Sequence, residues 1–312
     1  MPLPENPAAL HLADEVADAL RDGRPVVALE STIVAHGLPR PRNLEVAVAL
    51  EQQLRAREVV PATIAVLDGR VRVGLDAAEL ERVATSPAVT KASVRDLPVV
   101  VATGGDAATT VASTAFLAHR AGVRVFATGG LGGVHRDAAH SFDESADLQT
   151  LGRTPIVVVC AGIKSILDVP ATLERLETLA VTVVGYRTDR FPGFYVTDSG
   201  HPVDRRVEDP AEVAAILAAA DDLGLTGAVV VANPLPEEAQ LDPEVHERAL
   251  RDALRAAEEA GLRGKAVTPF LLDHVQRATG GASLEANVQA VTGNVHVAGA
   301  VAVARARRGA SR

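Results

Sequence analysis

The chain has 312 residues, 47% of them hydrophobic and 23% charged, with a net charge of −9. These values exclude a disordered or fibrous chain, and no apolar run reaches the ~18 residues a membrane-spanning helix needs. The acidic balance, the 3% aromatic content and the lack of tryptophan argue against a nucleic-acid partner, which requires a basic footprint or stacking platforms.

Taken in chain order, short β-branched runs alternate with amphipathic helices, and Gly or Pro marks the joints. Asn6-Pro7 predicts a helix cap with proline at the first helical position, opening a helix to about Arg21. PVVALE (25–30) reads as a buried strand, and Asn43 as the cap of a second helix. TIAVLDG and RVRVGL form a predicted hairpin through Asp68-Gly69. Further strands are expected at PVVVA (98–102), VRVFATGG, PIVVVCAG, VTVVG and GAVVVANP. Helices are expected near 75–84, 109–122, 144–151, 170–179, 209–223, 242–260, 268–278 and 283–306. Strands apolar on both faces belong to a sheet covered on each side. The expected fold is therefore α/β, a three-layer α/β/α architecture with a mostly parallel central sheet. A single catalytic domain over 1–312 is expected, with a small polar, turn-rich excursion at 187–207. ARARRGASR reads as a solvated basic tail.

The single cysteine, Cys160, permits no intrachain disulfide framework. MPLPENPAAL lacks the basic-then-apolar pattern of a secretory signal. A soluble, cytoplasmic chain without a membrane partner is the expectation.

Of the 31 basic residues only Lys91, Lys164 and Lys265 are lysine. Arginine keeps its proton in proteins, whereas lysine can lose it and act as an amine nucleophile. Lys164 follows a fully apolar strand after Ala161-Gly162, where desolvation favours a neutral amine, the setting of a Schiff-base lysine. Glu30 ends another apolar strand. A desolvated carboxyl there serves as a proton donor, or it caps the loop or pairs with Arg40 or Arg42. VATGGDAATTVAS and FATGGLGGVHR each read as strand, Thr-Gly-Gly, then a helix start, and such turns let a backbone approach an anion. Neither matches the dinucleotide or P-loop pattern. In FDESADLQTL, Asp143 and Asp147 share one face if helical. With Glu144 they form an oxygen-rich set for a hard cation, or an acidic helix start, and Ser145 can donate to a phosphate. Asn287 and Asn294 interrupt an apolar helical stretch, where an amide needs a ligand or a helix partner. Lys91 reads as a loop residue within reach of a phosphate. His36, His135 and Cys160 have no partner arrangement that spacing establishes.

ALESTIVAHGLPRPRN, TGGLGGVHR, FDESADL, CAGIKSILD, GYRTDRFPGFY, ANPLP and NVQAVTGN, in this order, closely resemble the pseudouridine-5'-phosphate glycosidase family. The likeness runs from about Glu30 to about Asn294. It implies a cytoplasmic α/β/α homotrimer using a divalent metal, typically manganese. Such an enzyme reversibly converts pseudouridine 5'-phosphate and water to uracil and ribose 5-phosphate. Carried over by position, Lys164 matches the covalent nucleophile, Glu30 the proton donor and Asp143 the metal ligand. Lys91, Val111, Ser145, Ala146 and Asp147 match substrate-binding positions, and Thr128, His135 and Asn287 lie in similar segments. A Schiff-base lyase or aldolase on another sugar phosphate, or a non-catalytic sugar-phosphate sensor, remains open at this point.

Overall fold

A computed structural model describes residues 10–262 and 267–310. The expected cap at Asn6-Pro7, and Lys265, lie outside the described residues. The chain runs β1 (Leu10–Leu12), α1 (Asp14–Arg21), β2 (Val26–Glu30), a π-helical turn (Ile33–Gly37), α2 (Arg42–Arg55), β3 (Val60–Leu67) and β4 (Arg70–Val73). It continues through α3 (Ala77–Thr85), β5 (Thr90–Ala92), α4 (Leu97–Ala102), β6 (Ala107–Thr109), α5 (Val111–Arg120) and β7 (Val125–Ala127). Next come α6 (Ala138–Ser141), α7 (Ala146–Leu151), β8 (Val157–Cys160), α8 (Val169–Thr178), β9 (Thr182–Tyr186) and β10 (Arg206–Val207). The last elements are α9 (Pro210–Asp222), β11 (Val229–Ala232), α10 (Pro243–Glu259), α11 (Val267–Ala278) and α12 (Ala282–Ala310).

The strands form one sheet in the order β1-β4-β3-β2-β7-β8-β11-β9-β10, with β5 and β6 attached beside β3. The central run from β3 to β10 is parallel throughout, and β3 pairs antiparallel with β4 and β6. Alternation along each strand sends side chains to two cores. Val27 and Leu29 of β2 and Val157 and Val159 of β8 face α2, α9 and α12. Ala28, Val158 and Cys160 face the opposite core with residues of α1, α5, α7, α8 and α10. This is the expected three-layer arrangement.

Several local expectations are corrected. The first helix begins at Asp14, because residues 10–12 pair in parallel with β4. PVVVA is helical rather than a strand: Asp96 closes back onto the Ser93 N–H, Pro98 sits in the first turn, and Val99 is exposed. The first Thr-Gly-Gly therefore ends a helix instead of following a strand. Lys91 lies in the short strand β5, not in a loop. Asn43 does not cap α2 but lies in its first turn, fully buried, donating to the carbonyls of Val34 (2.7 Å) and Ala84 (2.9 Å). The segment between β9 and β10 is irregular, and it buries Phe191, Phe194 and Tyr195 against the main core.

Candidate active site

Three neighbouring strands, β2, β7 and β8, carry their carboxyl ends to one place. The chain leaves β2 toward β3 on one side and meets β7 on the other, so this is where the strand order switches, the usual ligand crevice of an open α/β sheet. Glu30 is the last residue of β2. The loops after β7 and β8 continue side by side beyond the sheet: Thr128 N–H donates to Val159 O (3.0 Å), Ala161 N–H to Gly129 O (2.9 Å), Leu131 N–H to Gly162 O (2.9 Å) and Lys164 N–H to Leu131 O (3.0 Å). This ladder fixes the backbone from which Lys164 projects. Gly162 has φ +89°, and a Cβ there would lie 2.0 Å from the carbonyl oxygen of Pro192, so no side chain is accommodated at that bend.

The loops enclose a cleft of about 420 Å³. Glu30, Lys91, Val111, His135, Asp143, Ser145, Ala146, Asp147 and Lys164 all line it, although they come from six separate stretches of chain. Glu30 is 9% exposed, and its carboxylate accepts a hydrogen bond from the Thr128 hydroxyl. Burial raises its pKa above the ordinary carboxylate range, opposed in part by the charge of Lys164 and by Thr128. It has no ion pair with Arg40 or Arg42. A carboxyl whose pKa is raised by burial thus faces the same cleft as Lys164, carried beyond β8.

Thr128 and Asn287 do not line this cleft. Thr128 lies fully buried behind Glu30. Asn287, on α12, has a buried Oδ1 without a hydrogen-bond partner, close to Gly129: a Cβ on that glycine would come within 3.0 Å of it.

The acidic segment differs from expectation. Ser145 caps α7, its hydroxyl accepting from the Asp147 N–H (3.2 Å), so Asp143 precedes the helix and shares no helical face with Asp147. Asp147 is buried, and both its oxygens accept from backbone: Ala112 N–H (2.9 Å) and Gly132 N–H (2.8 Å). It ties α5, α7 and the loop after β7 together at the cleft wall. Glu144 turns to Arg175 (2.9 Å). Among the described residues no three His, Cys, Asp or Glu side chains gather as a metal cage. Asp143 and His135 do face one another, with Oδ2 and Nδ1 4.0 Å apart. A hard cation bound through one or two carboxylates, with water and a substrate phosphate completing its shell, suits this sparse donor set. Cys160, at the end of β8, has its thiol pushed up to about 12 by burial and acts as a small core residue.

Sequence reasoning missed Ser93, Arg95, Asp96, Thr110, Leu167 and Thr268 in the cleft wall. Most sit beside residues that were recognised, and Thr268 of α11 is brought in by tertiary packing alone.

Glu30 and Lys164 meeting in one cleft at the switch point of a largely parallel sheet, the usual small-molecule crevice of such a sheet, define a class, an α/β enzyme with a small-molecule cleft. The chain belongs to the family described as indigoidine synthase A like protein, whose model matches residues 15–304, and its relatives place it among the pseudouridine-5'-phosphate glycosidases. It is 64% identical over 293 residues to the pseudouridine-5'-phosphate glycosidase of Frankia alni, covering 94% of this chain and 81% of that protein. It is 62% identical to that of Streptomyces griseus, covering 95% and 92%. Among solved structures it superposes on the prealnumycin C-glycosynthase AlnA in complex with ribulose 5-phosphate, with a TM-score of 0.91 and 38% identity over 98% of this chain and 99% of that one. An indigoidine synthase A-like protein from Thermotoga maritima gives 0.86 and 38% over 94% and 95%.

Proposed function

We propose that this chain cleaves the bond between ribose C1' and uracil C5 of pseudouridine 5'-phosphate, reversibly and with water, releasing uracil and ribose 5-phosphate. The observation that carries this reading is the pairing, in one cleft, of Lys164 with a Glu30 whose pKa is raised by burial. The activity named for the relatives at 64% and 62% identity supports the substrate. The ribulose 5-phosphate bound by AlnA supports a sugar-phosphate cleft.

The chemistry requires these residue types. The leaving group departs from carbon, so water cannot simply displace it. The Lys164 amine attacks C1' and the C1'–O4' bond breaks, opening the ring, as the proton released from the newly bonded nitrogen is taken up by O4'. The nitrogen lone pair then forms the C1'=N bond of an imine as the C1'–C5 electrons leave with the base. Glu30 delivers its proton to C5, giving uracil. Water hydrolyses the imine, releasing ribose 5-phosphate and restoring the amine. Covalent catalysis thus divides one difficult step, and a positioned acid is worth about 10²–10⁴-fold. Lys91, Val111, Ser145, Ala146 and Asp147 form the substrate-binding wall in this reading, with His135, Thr128 and Asn287 in supporting positions. Asp143, with His135 beside it, would hold a divalent cation, manganese in this proposal, which when bound supplies positive charge for the phosphate. The same reading includes a homotrimer, a cytoplasmic location and a role in pseudouridine breakdown.

The test is incubation with pseudouridine 5'-phosphate and manganese, monitored for uracil, with a parallel borohydride quench and peptide mass analysis. Uracil together with a reduced pentose-phosphate adduct on Lys164 is expected, and Lys164→Ala should give neither while remaining folded. Uracil without the adduct would overturn the imine. An adduct with other sugar phosphates but no uracil would instead indicate a Schiff-base lyase or aldolase. Ligand binding with no turnover at all would indicate a sensor.

A further inference from the structure

Beside Lys164 lies a polar pair that the proposed reaction does not use. Ser165 is buried, and its hydroxyl shares a hydrogen bond of 2.8 Å with Nε2 of His246, which is buried as well. His246 comes from the first turn of α10, far away in sequence. Its own placement is fixed: its N–H donates to Asp242 O (2.9 Å), and its ring meets the edge of Tyr195, 6.0 Å between centroids. Tyr195 O in turn accepts from Leu241 N–H (2.8 Å), just before α10. Burial lowers the His246 pKa, so the ring is held neutral.

The pair sits where it controls the direction of the lysine. Upstream, Lys164 N–H is bonded to Leu131 O, and downstream Lys164 O accepts from Leu167 N–H (2.9 Å), closing a tight turn. Ser165 is the middle of that turn. Its carbonyl accepts from the Arg136 guanidinium (3.2 Å) while its side chain is bound by His246. Rotation of the Ser165 backbone would swing the Lys164 side chain within the cleft, and the two bonds to Ser165 oppose it. We infer that His246 is a positioning residue for Lys164, acting through its hydrogen bond to Ser165. It makes no contact with the cleft and carries no proton in the reaction. The inference rests on Lys164 being the nucleophile of the proposed function.

A displacement of about 1 Å at a reacting group costs up to about 10²-fold in rate. His246→Leu and Ser165→Ala should therefore each lower kcat for uracil release by about 10- to 100-fold with KM changed less than about threefold, and the double variant should lose no more than the worse single one, as expected of coupled residues. His246→Gln, which keeps a polar atom near Nε2, should recover most of the loss. Each rate is expressed per folded protein, measured by circular dichroism. The same variants are quenched with borohydride in ribose 5-phosphate, and the trapping rate at Lys164 should fall in parallel with kcat. Unchanged kcat and trapping in folded His246→Leu would overturn the inference and leave the pair a merely structural one, as would multiplicative losses in the double variant. If the wild type traps ribose 5-phosphate on Lys164 but releases no uracil, the proposed function fails, and the trapping rates still decide on His246. No trapping in the wild type would overturn the inference itself.

Discussion

Glu30→Gln separates what the buried carboxyl does for catalysis from what it does to stability. The glutamine has nearly the same volume and still accepts from Thr128, so packing is kept and only the transferable proton is lost. If Glu30 protonates C5, kcat should fall by about 10²–10⁴-fold, or about 3–5 kcal/mol of barrier. The pH dependence follows from the direction of the shift. An unfolded glutamate ionises near pH ~4.3, whereas burial raises the pKa of Glu30 in the fold. Between those two values the folded chain keeps a proton that the unfolded chain has lost, so this group's contribution to stability falls as pH rises. The variant should then have a higher melting temperature than wild type at pH 8 and no advantage near pH 4. Thermal melts at the two pH values, with uracil release measured in the same samples, test both halves. A variant that keeps more than a tenth of wild-type kcat would refute the acid role. One that is less stable at pH 8 than wild type would refute the burial argument.

Three further outcomes are expected. Gly132→Ala places a Cβ 2.3 Å from the Ser145 hydroxyl and 2.7 Å from Asp147 Oδ2, so chemical denaturation should show a loss of about 1–3 kcal/mol, with weakened substrate binding in a titration. Asn43→Ala removes the donor of two buried hydrogen bonds and should cost about 1–3 kcal/mol in the same assay with little change in kcat, since it lies outside the cleft. Asp143→Ala should raise the manganese concentration for half-maximal rate about tenfold or more after chelation and readdition; an unchanged requirement would remove Asp143 from the metal argument.

Sequence alone carried the architecture because several core strands share a pattern, an apolar β-branched run soon closed by Gly or a polar residue, as in VVALE and VVVCAG. Its failures share a cause. The strands β1, β5 and β6 are three residues long, and nothing local distinguishes them; they exist because a neighbouring strand offers hydrogen bonds. PVVVA is apolar enough for a strand, and the signals that overrule it are a backbone N–H capped by Asp96 and a proline in the first turn, which periodicity does not register. Among residues that line the cleft, Glu30 and Lys164 could be singled out because a charged group at the end of an apolar strand has few structural excuses. Asp147 was legible as important, but not that its two oxygens would be spent on backbone N–H groups, which depends on α5 and the Gly132 loop meeting it. His246 and Ser165 were invisible, since their 81-residue separation is closed only by packing.

The helix α12 also sets a timetable. It packs against β2, β7 and β8, and from it Asn294 donates to the carbonyls of Thr128 (2.7 Å) and Gly129 (3.2 Å). The loop that presses Thr128 onto Glu30 is therefore braced by a residue translated after every residue that lines the cleft. A nascent chain can lay down β2, with Glu30 at its end, and the turn bearing Lys164 well before it has made the helix that holds the loops beyond them in register.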